Sequence, residues 1–153
     1  MWPPEPGIYA LLFSWAQPLS ITAGRLGTQV LPPGHYVYVG SARGPGGLAA
    51  RLERHLRPTK RLHWHVDFLT QKVLPCAVLF TTETHIRECD WVARLLHLPG
   101  ASCPWPGFGN SDCRRCPGHL LRLPPVRPTL LQCHLTAEGC QSLSPDQERF
   151  NPA

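Results

Sequence analysis

The sequence predicts a mixed α/β domain, and three observations lead to this fold class. Gly7–Trp15 is an apolar run of strand length, and His35–Gly40 is rich in the β-branched and aromatic side chains that favour strands. Leu48, Leu52 and Leu56 then recur every four residues, as on one face of a helix. With 153 residues the chain has the usual length of a single domain.

Two short strand candidates lie between the two longer ones. Leu19–Thr22 and Thr28–Leu31 flank Ala23–Gly27, whose two glycines are typical of a hairpin turn. A proline–proline–glycine run at residues 32–34 separates this hairpin from the aromatic strand. A glycine-rich loop at residues 41–47 then leads to the leucine helix.

Helices and one strand alternate in the middle of the chain. The leucine repeat predicts a helix over Leu48–Arg57, which Pro58 ends. Leu62–Gln71 favours a helix over a strand, Ala77–Thr82 predicts a strand, and Arg87–Leu98 predicts a second amphipathic helix.

The last third shows little periodicity. Residues 102–118 are dense in proline, glycine and cysteine and predict a loop. Beyond Leu123 the chain is proline-rich and then polar. We therefore expect one domain over residues 1–123, followed by a loosely ordered tail over residues 124–153.

Composition excludes several classes of protein. Seven cysteines are an odd number, which excludes a fully paired disulfide framework and favours a reduced, cytoplasmic protein. No apolar run reaches the ~18 residues of a membrane span. The N-terminal segment before Gly7 lacks the positive charge of a signal peptide. A net charge of +5 gives a mild preference for anionic partners.

Five side chains could together cleave a phosphodiester. Tyr9 and Tyr38 lie on neighbouring strand candidates, Arg51 and His55 are four residues apart on one helix, and Glu88 lies near the start of another. A phenol or imidazole can relay a proton from water, a guanidinium matches phosphoryl oxygens, and a carboxylate can hold a divalent ion. Each also has an ordinary interpretation, such as a packed tyrosine or a glutamate that favours the helix dipole.

The order of the motifs resembles the GIY-YIG nuclease family. GIY stands at residues 7–9 and YVG at residues 38–40, and a helix with RLERH at residues 51–55 follows. The sequence around these motifs is similar to the small stand-alone Uri-type branch of the family. The resemblance extends from about Gly7 to about Leu121.

This resemblance implies a compact α/β (α+β) domain with a small, mainly antiparallel sheet flanked by helices, to which the hairpin is an extra element. It also implies metal-dependent hydrolysis of DNA, with RNA as a further possibility. Tyr9 and Tyr38 would help to activate water, Arg51 would stabilise the phosphate, and His55 would orient water or phosphate. Glu88 would bind one Mg²⁺ or Mn²⁺ ion.

Two features depart from the family pattern. The two tyrosine motifs are further apart than in most members, which leaves room for the predicted hairpin. The late asparagine of the family has no clear counterpart, and Asn110 is the best candidate by its position in a loop.

Further basic residues and one asparagine could contact nucleic acid. The expected contacts are Arg43, Lys60, Arg61, His65 and Asn110. Trp64 lies among them and could stack on a base, or it could face the core together with Phe68 four residues later. The sequence leaves both interpretations open.

Cys113, Cys116 and His119 have the spacing C-x2-C-x2-H, which is competent to bind zinc. A fourth ligand could be Cys103, Cys133 or His134. The same loop could instead close over the active site. Two alternatives to a nuclease therefore stand beside it: a non-catalytic nucleic-acid-binding module, and a zinc-stabilised interaction domain.

Overall fold

The computed structural model describes residues 2–109, 113–135 and 141–143. These residues form seven strands and four α-helices, in the order β1 (Gly7–Trp15), β2 (Leu19–Thr22), β3 (Thr28–Leu31), β4 (Gly34–Ala42), α1 (Gly47–Leu56), α2 (His65–Thr70), β5 (Ala77–Thr81), α3 (Glu88–Leu96), β6 (Leu120–Leu123), α4 (Pro128–Leu135) and β7 (Gln141–Leu143). Within these ranges no helix has both the length and the apolar composition that crossing a membrane requires.

Five of the strands form one sheet in the order β6-β4-β1-β5-β7. Every neighbouring pair in it is antiparallel. β2 and β3 form a separate hairpin, joined by a short 3-10 turn at Gly24–Leu26. The predicted α/β (α+β) class with a mainly antiparallel sheet and an extra hairpin is confirmed.

The central strand β1 is buried on both faces. Its alternate side chains point to opposite sides, as the pleat of a strand requires. Tyr9, Leu11 and Phe13 join the core under α1 and α2. Ile8 and Leu12 join a second core under α3 and α4. Burying each large apolar side chain stabilises the fold by about 1.5–3 kcal/mol, which explains why this strand is almost wholly apolar.

The starts of two helices are set by aspartate side chains that cap the backbone, which the apolar pattern of the sequence does not reveal. The predicted helix over Leu62–Gln71 begins only at His65, because Asp67 Oδ2 accepts hydrogen bonds from the backbone N–H groups of His63 and Trp64, both at 2.8 Å. The same arrangement starts α3, where Asp90 caps the N–H of residue 87 at 2.8 Å.

The chain beyond residue 123, for which the sequence predicts a loose tail, contributes to the described fold. Leu131 and Leu135 of α4 are buried in the core that α3 covers. β7 pairs with β5 at the edge of the sheet. Since α4 has only a weak apolar face, tertiary packing rather than helix propensity holds it.

Strand β6, where the sequence indicates no element, pairs with β4.

Candidate functional site

The pairing of β1 with β4 brings the two motif tyrosines together. Tyr9 lies directly opposite Gly40, and Tyr38 lies opposite Leu11 on the same face of the sheet. Their ring centroids are 6.4 Å apart. A Cβ atom on Gly40 would overlap Cζ and Oη of Tyr9, so the ring can lie across this strand only because residue 40 is glycine.

Helix α1 places His55 against Tyr9. The leucine stripe of α1 packs on the sheet, and His55 beside it is fully buried. Tyr9 Oη and His55 Nε2 form a hydrogen bond of 2.6 Å. Burial, together with the positive charges of Arg51, Lys60 and Arg54, lowers the pKa of His55 well below its usual value.

The hydrogen bond therefore has a defined direction. Burial raises the pKa of Tyr9, although Arg51 opposes this, so the phenol keeps its proton at neutral pH. His55 is neutral at the same pH, and its Nε2 accepts that proton. Among the described residues, Nδ1 of His55 has no hydrogen-bond partner. Tyr9 can thus pass its proton to His55 as its own oxygen receives another.

The depressed pKa of His55 predicts a pH-dependent stability. The unfolded chain takes up a proton on this residue below about pH 6.5, whereas the folded chain does not, so stability falls as the pH falls below that value. We expect the free energy of unfolding, measured in urea, to decrease by about 1 kcal/mol between pH 7.5 and 5.5 through His55. His55→Gln should lose this decrease, and the exposed control His63→Gln should keep it. An unchanged pH dependence in His55→Gln would contradict a neutral buried imidazole.

Trp64 positions Arg51. The Arg51 guanidinium carbon lies 4.1 Å from the centroid of the Trp64 ring, and that of Arg54 lies 4.5 Å from it. Such cation–π contacts stabilise by about 0.5–2 kcal/mol. Trp64 packs partly against the core, as one of the two interpretations predicted. Its outer surface holds the Arg51 head group at the site.

Asp67 holds the segment that carries Trp64. Its two oxygens accept hydrogen bonds from both terminal nitrogens of Arg54, at 2.8 and 3.1 Å. Asp67 is fully buried, while the Arg54 side chain is 22% exposed. The Asp67 cap on the backbone of residues 63 and 64 completes its hydrogen bonds. The arrangement fixes α1 and the start of α2 relative to each other.

Glu88, the first residue of α3, faces this group from the other side. Its Oε2 lies 3.0 Å from Nδ1 of His119, and its side chain is 29% exposed. Burial favours a lower pKa for His119, but the Glu88 carboxylate and the Cys113 thiol together raise it. Glu88 is thus a partly exposed carboxylate that lies on one side against a buried imidazole.

A cavity of about 350 Å³ unites these side chains. It is lined by the five predicted catalytic and metal-binding residues Tyr9, Tyr38, Arg51, His55 and Glu88. Arg43, Cys113 and His119 also line it, together with Trp64. An adjoining cavity of about 680 Å³ shares Glu88 with it and is lined by further arginines, Arg87, Arg114 and Arg115. The two cavities therefore combine one carboxylate, that of Glu88, with several arginine side chains.

The described residues of the next loop, 102–109 and 113–119, close the cavity beside Tyr38. Trp105 and Phe108 are buried, and the Phe108 ring meets that of Tyr38 edge-to-face at 6.1 Å. Gly109 has a φ of +80°, and a Cβ there would lie 2.7 Å from Tyr38 Cε2. The loop lies close against the tyrosine because this position is glycine.

Two of the predicted nucleic-acid contacts bind backbone groups instead of facing the cavity. Lys60 Nζ donates to the carbonyl of His55 at 2.7 Å, at the C-terminal end of α1. Nδ1 of His65 accepts a hydrogen bond from the N–H of Gly109 at 2.9 Å, which ties the loop to α2. Neither residue lines the cavity of about 350 Å³.

The other predicted contacts lie in three different settings. Arg43 lines the cavity, and its Nη2 donates to the carbonyl of Ile86 at 2.7 Å. Arg61 is exposed and does not line the cavity. Asn110 lies outside the residues that the structure describes.

A second cluster adjoins Glu88 and could hold a metal ion. One ligand atom from each of Cys89, Cys113, Cys116 and His119 lies within 4.8 Å of the others. Three of these residues were predicted together from their spacing. The fourth residue of the cluster is Cys89 on α3. The sequence had instead suggested Cys103, Cys133 or His134 as the fourth ligand. His134 instead lies against α3, with Nε2 2.7 Å from the carbonyl of residue 94.

Sequence reasoning missed three parts of the site: Cys89, the contact of Trp64 with Arg51, and the buried pair of Arg54 and Asp67. Only Asp67 left a signal, since an acidic residue at the third position of a short helix is typical of a cap. The other two join segments distant in sequence, which spacing does not report.

The chain belongs to the family described as a domain of unknown function, DUF123, whose model matches residues 8–141. The match spans β1 through the start of β7 and includes all the cavity residues named above. Searches of curated proteins and of solved structures found no match.

Proposed function

We propose that the protein is an endonuclease that hydrolyses phosphodiester bonds in DNA. The observation that carries this proposal is the 2.6 Å hydrogen bond between a neutral His55 and Tyr9, in a cavity that also contains Arg51 and Glu88. The motif order, which resembles that of GIY-YIG nucleases, supports the same reaction. Acid–base, electrostatic and metal-binding groups for one hydrolytic step are thus within one cavity.

Tyr9 and His55 would activate the attacking water. The water gives a proton to Tyr9 Oη while the Tyr9 proton moves to His55 Nε2, so neither tyrosinate nor hydroxide has to persist. The oxygen of the water forms the new bond to phosphorus, the bond to the leaving oxygen breaks, and the leaving oxygen takes a proton from solvent. His55, whose protonated form burial and the nearby cations disfavour, then returns its proton through Tyr9 to solvent. Tyr38, whose ring lies 6.4 Å from that of Tyr9, would line the path of the water.

Arg51 would stabilise the phosphate as charge accumulates on its oxygens. A guanidinium suits this task because it offers several N–H donors in a fixed plane and stays charged. Trp64 limits the motion of Arg51 by stacking at 4.1 Å. The head group would therefore be held in place before the substrate arrives, which reduces the cost of reorganisation.

Glu88 would hold one Mg²⁺ or Mn²⁺ ion. The residues fit such an ion, since Glu88 offers a partly exposed carboxylate at the cavity, and Mg²⁺ commonly binds through one or two carboxylates, waters and substrate phosphates. When bound, the ion would supply charge that stabilises the phosphoryl and leaving oxygens.

The arginines beside the cavity support nucleic acid as the substrate. Arg87, Arg114 and Arg115 are exposed and line the adjoining cavity of about 680 Å³. Arginine contacts with phosphate position a nucleic acid without reading its sequence. We therefore expect DNA to bind by its backbone across both cavities. The free thiols among the described cysteines support a reducing compartment such as the cytoplasm.

The proposal is tested by incubating the protein with labelled single-stranded, duplex and branched DNA and with RNA, in Mg²⁺, Mn²⁺ or EDTA. We expect metal-dependent cleavage of at least one DNA substrate. Arg51→Ala and Glu88→Gln should each lower the cleavage rate at least 100-fold, on the order of the loss of one transition-state contact. Glu53→Gln, an exposed carboxylate on α1, is the control and should keep the wild-type rate.

Two results would overturn the proposal. Binding of DNA without cleavage under any of these conditions would favour the non-catalytic binding module. Cleavage that survives both Arg51→Ala and Glu88→Gln would place the activity elsewhere, including in a contaminating nuclease.

A further inference from the structure

We infer that Cys89, Cys113, Cys116 and His119 form a zinc site, and that this site orients the carboxylate of Glu88 through His119. The zinc site stands independently of the proposed nuclease activity. Only the consequence of orienting Glu88 for catalysis rests on that proposed function.

The donor set matches zinc in kind and in number. The three sulfur atoms lie 3.0, 3.1 and 3.2 Å from one another. Nε2 of His119 lies 3.1 Å from Cys116 Sγ. Tetrahedral zinc with bonds of about 2.3 Å to sulfur separates its sulfur ligands by about 3.8 Å, so small side-chain shifts would accommodate the ion. Three thiolates and one imidazole are a closed structural set for Zn²⁺ and a poor one for Mg²⁺.

A disulfide accounts less well for the same geometry. Each of the three sulfurs is close to both others, whereas a disulfide joins only two and brings them to about 2.0 Å. It would also leave the nearby imidazole nitrogen of His119 without a role. Four donor atoms within 4.8 Å of one another are the arrangement that a single cation needs.

The ligands come from two separate parts of the chain. Cys89 is in the first turn of α3, and the other three precede β6. An ion held by them would link α3 to the loop that closes the cavity beside Tyr38. Such a link restrains segments whose association otherwise costs loop entropy.

His119 connects the zinc site with Glu88. Its Nε2 faces the sulfur atoms, and its Nδ1 lies 3.0 Å from Glu88 Oε2. If Nε2 binds the ion, the ring proton must be on Nδ1. That nitrogen has no hydrogen-bond partner among the described residues, but it is near enough to the carboxylate to donate to it after a small rotation of either side chain. Carboxylate partners of this kind orient metal-binding histidines and raise ligand basicity. Here the same contact would also hold Glu88 in place at the catalytic cavity.

The metal content of the full chain, purified without chelators, tests the site. Elemental mass spectrometry should find about one zinc per chain in the wild type. Cys89→Ser and Cys116→Ser should lose it, whereas the exposed-cysteine controls Cys76→Ser and Cys133→Ser should retain it.

Cobalt gives a second measurement that does not depend on how the variants fold. Wild-type protein loaded with Co²⁺ should show the near-ultraviolet charge-transfer absorption of thiolate ligands. Substoichiometric zinc in the wild type together with no such absorption would overturn the site. Equal loss of zinc from the control variants would overturn the assignment of its ligands.

Glu88→Ala tests the link to the carboxylate with a readout other than cleavage. In competition with a chelator we expect its zinc affinity to fall about 10–100-fold, as is usual when the partner of a ligand is removed. Glu53→Ala should bind zinc as the wild type does. Unchanged affinity in Glu88→Ala would overturn the link. Stoichiometric zinc in a protein that cleaves nothing would leave the zinc site standing and overturn only the nuclease.

Discussion

Replacement of Tyr9 by phenylalanine is expected to lower the rate of DNA cleavage by about 10²–10⁴-fold, the range usual for the loss of a general acid–base group. The substitution removes a single oxygen, the atom that donates to His55 at 2.6 Å. The ring still packs over Gly40 and the strand pairing is unaffected. Single-turnover cleavage with saturating Mg²⁺ would measure the chemical step apart from binding.

Tyr36→Phe is the matched control for this experiment. Like Tyr9, Tyr36 is a buried tyrosine of the same core, but it lies on β4. Its hydroxyl donates to the carbonyl of Pro32 at 2.6 Å, and it does not line the cavity that contains Tyr9. Its loss should cost about 1 kcal/mol of stability and leave the cleavage rate unchanged. A wild-type rate in Tyr9→Phe would contradict proton transfer through this hydroxyl.

Replacement of Asp67 by asparagine is expected to destabilise the fold by about 3–5 kcal/mol, the usual cost of removing one partner of a buried ion pair. Asp67 is fully buried. Its carboxylate accepts hydrogen bonds from both terminal nitrogens of Arg54 and from two backbone N–H groups. An asparagine offers only one acceptor oxygen and brings an NH₂ group towards these donors. Because Arg54 is 22% exposed, water can reach it, and we expect the lower end of the range.

Urea unfolding at neutral pH would measure this loss, with Asp90→Asn as its control. Asp90 has the same position in α3 and caps a backbone N–H at 2.8 Å, but it is half-buried. We expect Asp90→Asn to cost about 1 kcal/mol, as for one ordinary hydrogen bond. Equal losses in the two variants would show that the pair with Arg54 adds nothing to the cap.

Much of the fold follows from local sequence. β1, β2 and β3 have the bounds that the apolar runs and glycine turn predict, and α1 and α3 lie within one or two residues of theirs. α1 and α3 each bury an apolar face whose period is visible in the sequence, and β1 is a continuous apolar run that is buried on both faces. The positions of the proposed catalytic residues can be predicted for a related reason. Tyr9 and Tyr38 are fixed by strand pairing, and Arg51 and His55 by one helix.

The elements that the sequence did not predict are held by distant partners. β6 has four residues and is a strand because β4 offers it a free edge. α4 has a weak apolar face and is a helix because Leu131 and Leu135 reach the core beside α3. In such short segments the free energy comes from tertiary contacts, which no local pattern records.

The sequence by itself thus determined the α/β class, the central strand and the hairpin, and it supplied the side chains that we propose for phosphodiester hydrolysis. Only the tertiary structure decided that Cys89 joins Cys113, Cys116 and His119, that Trp64 stacks on Arg51, and that His119 contacts Glu88. The physical reason is that periodicity specifies which face of an element is buried. It does not specify which of several chemically equivalent cysteines, cations or carboxylates meet once those faces pack together.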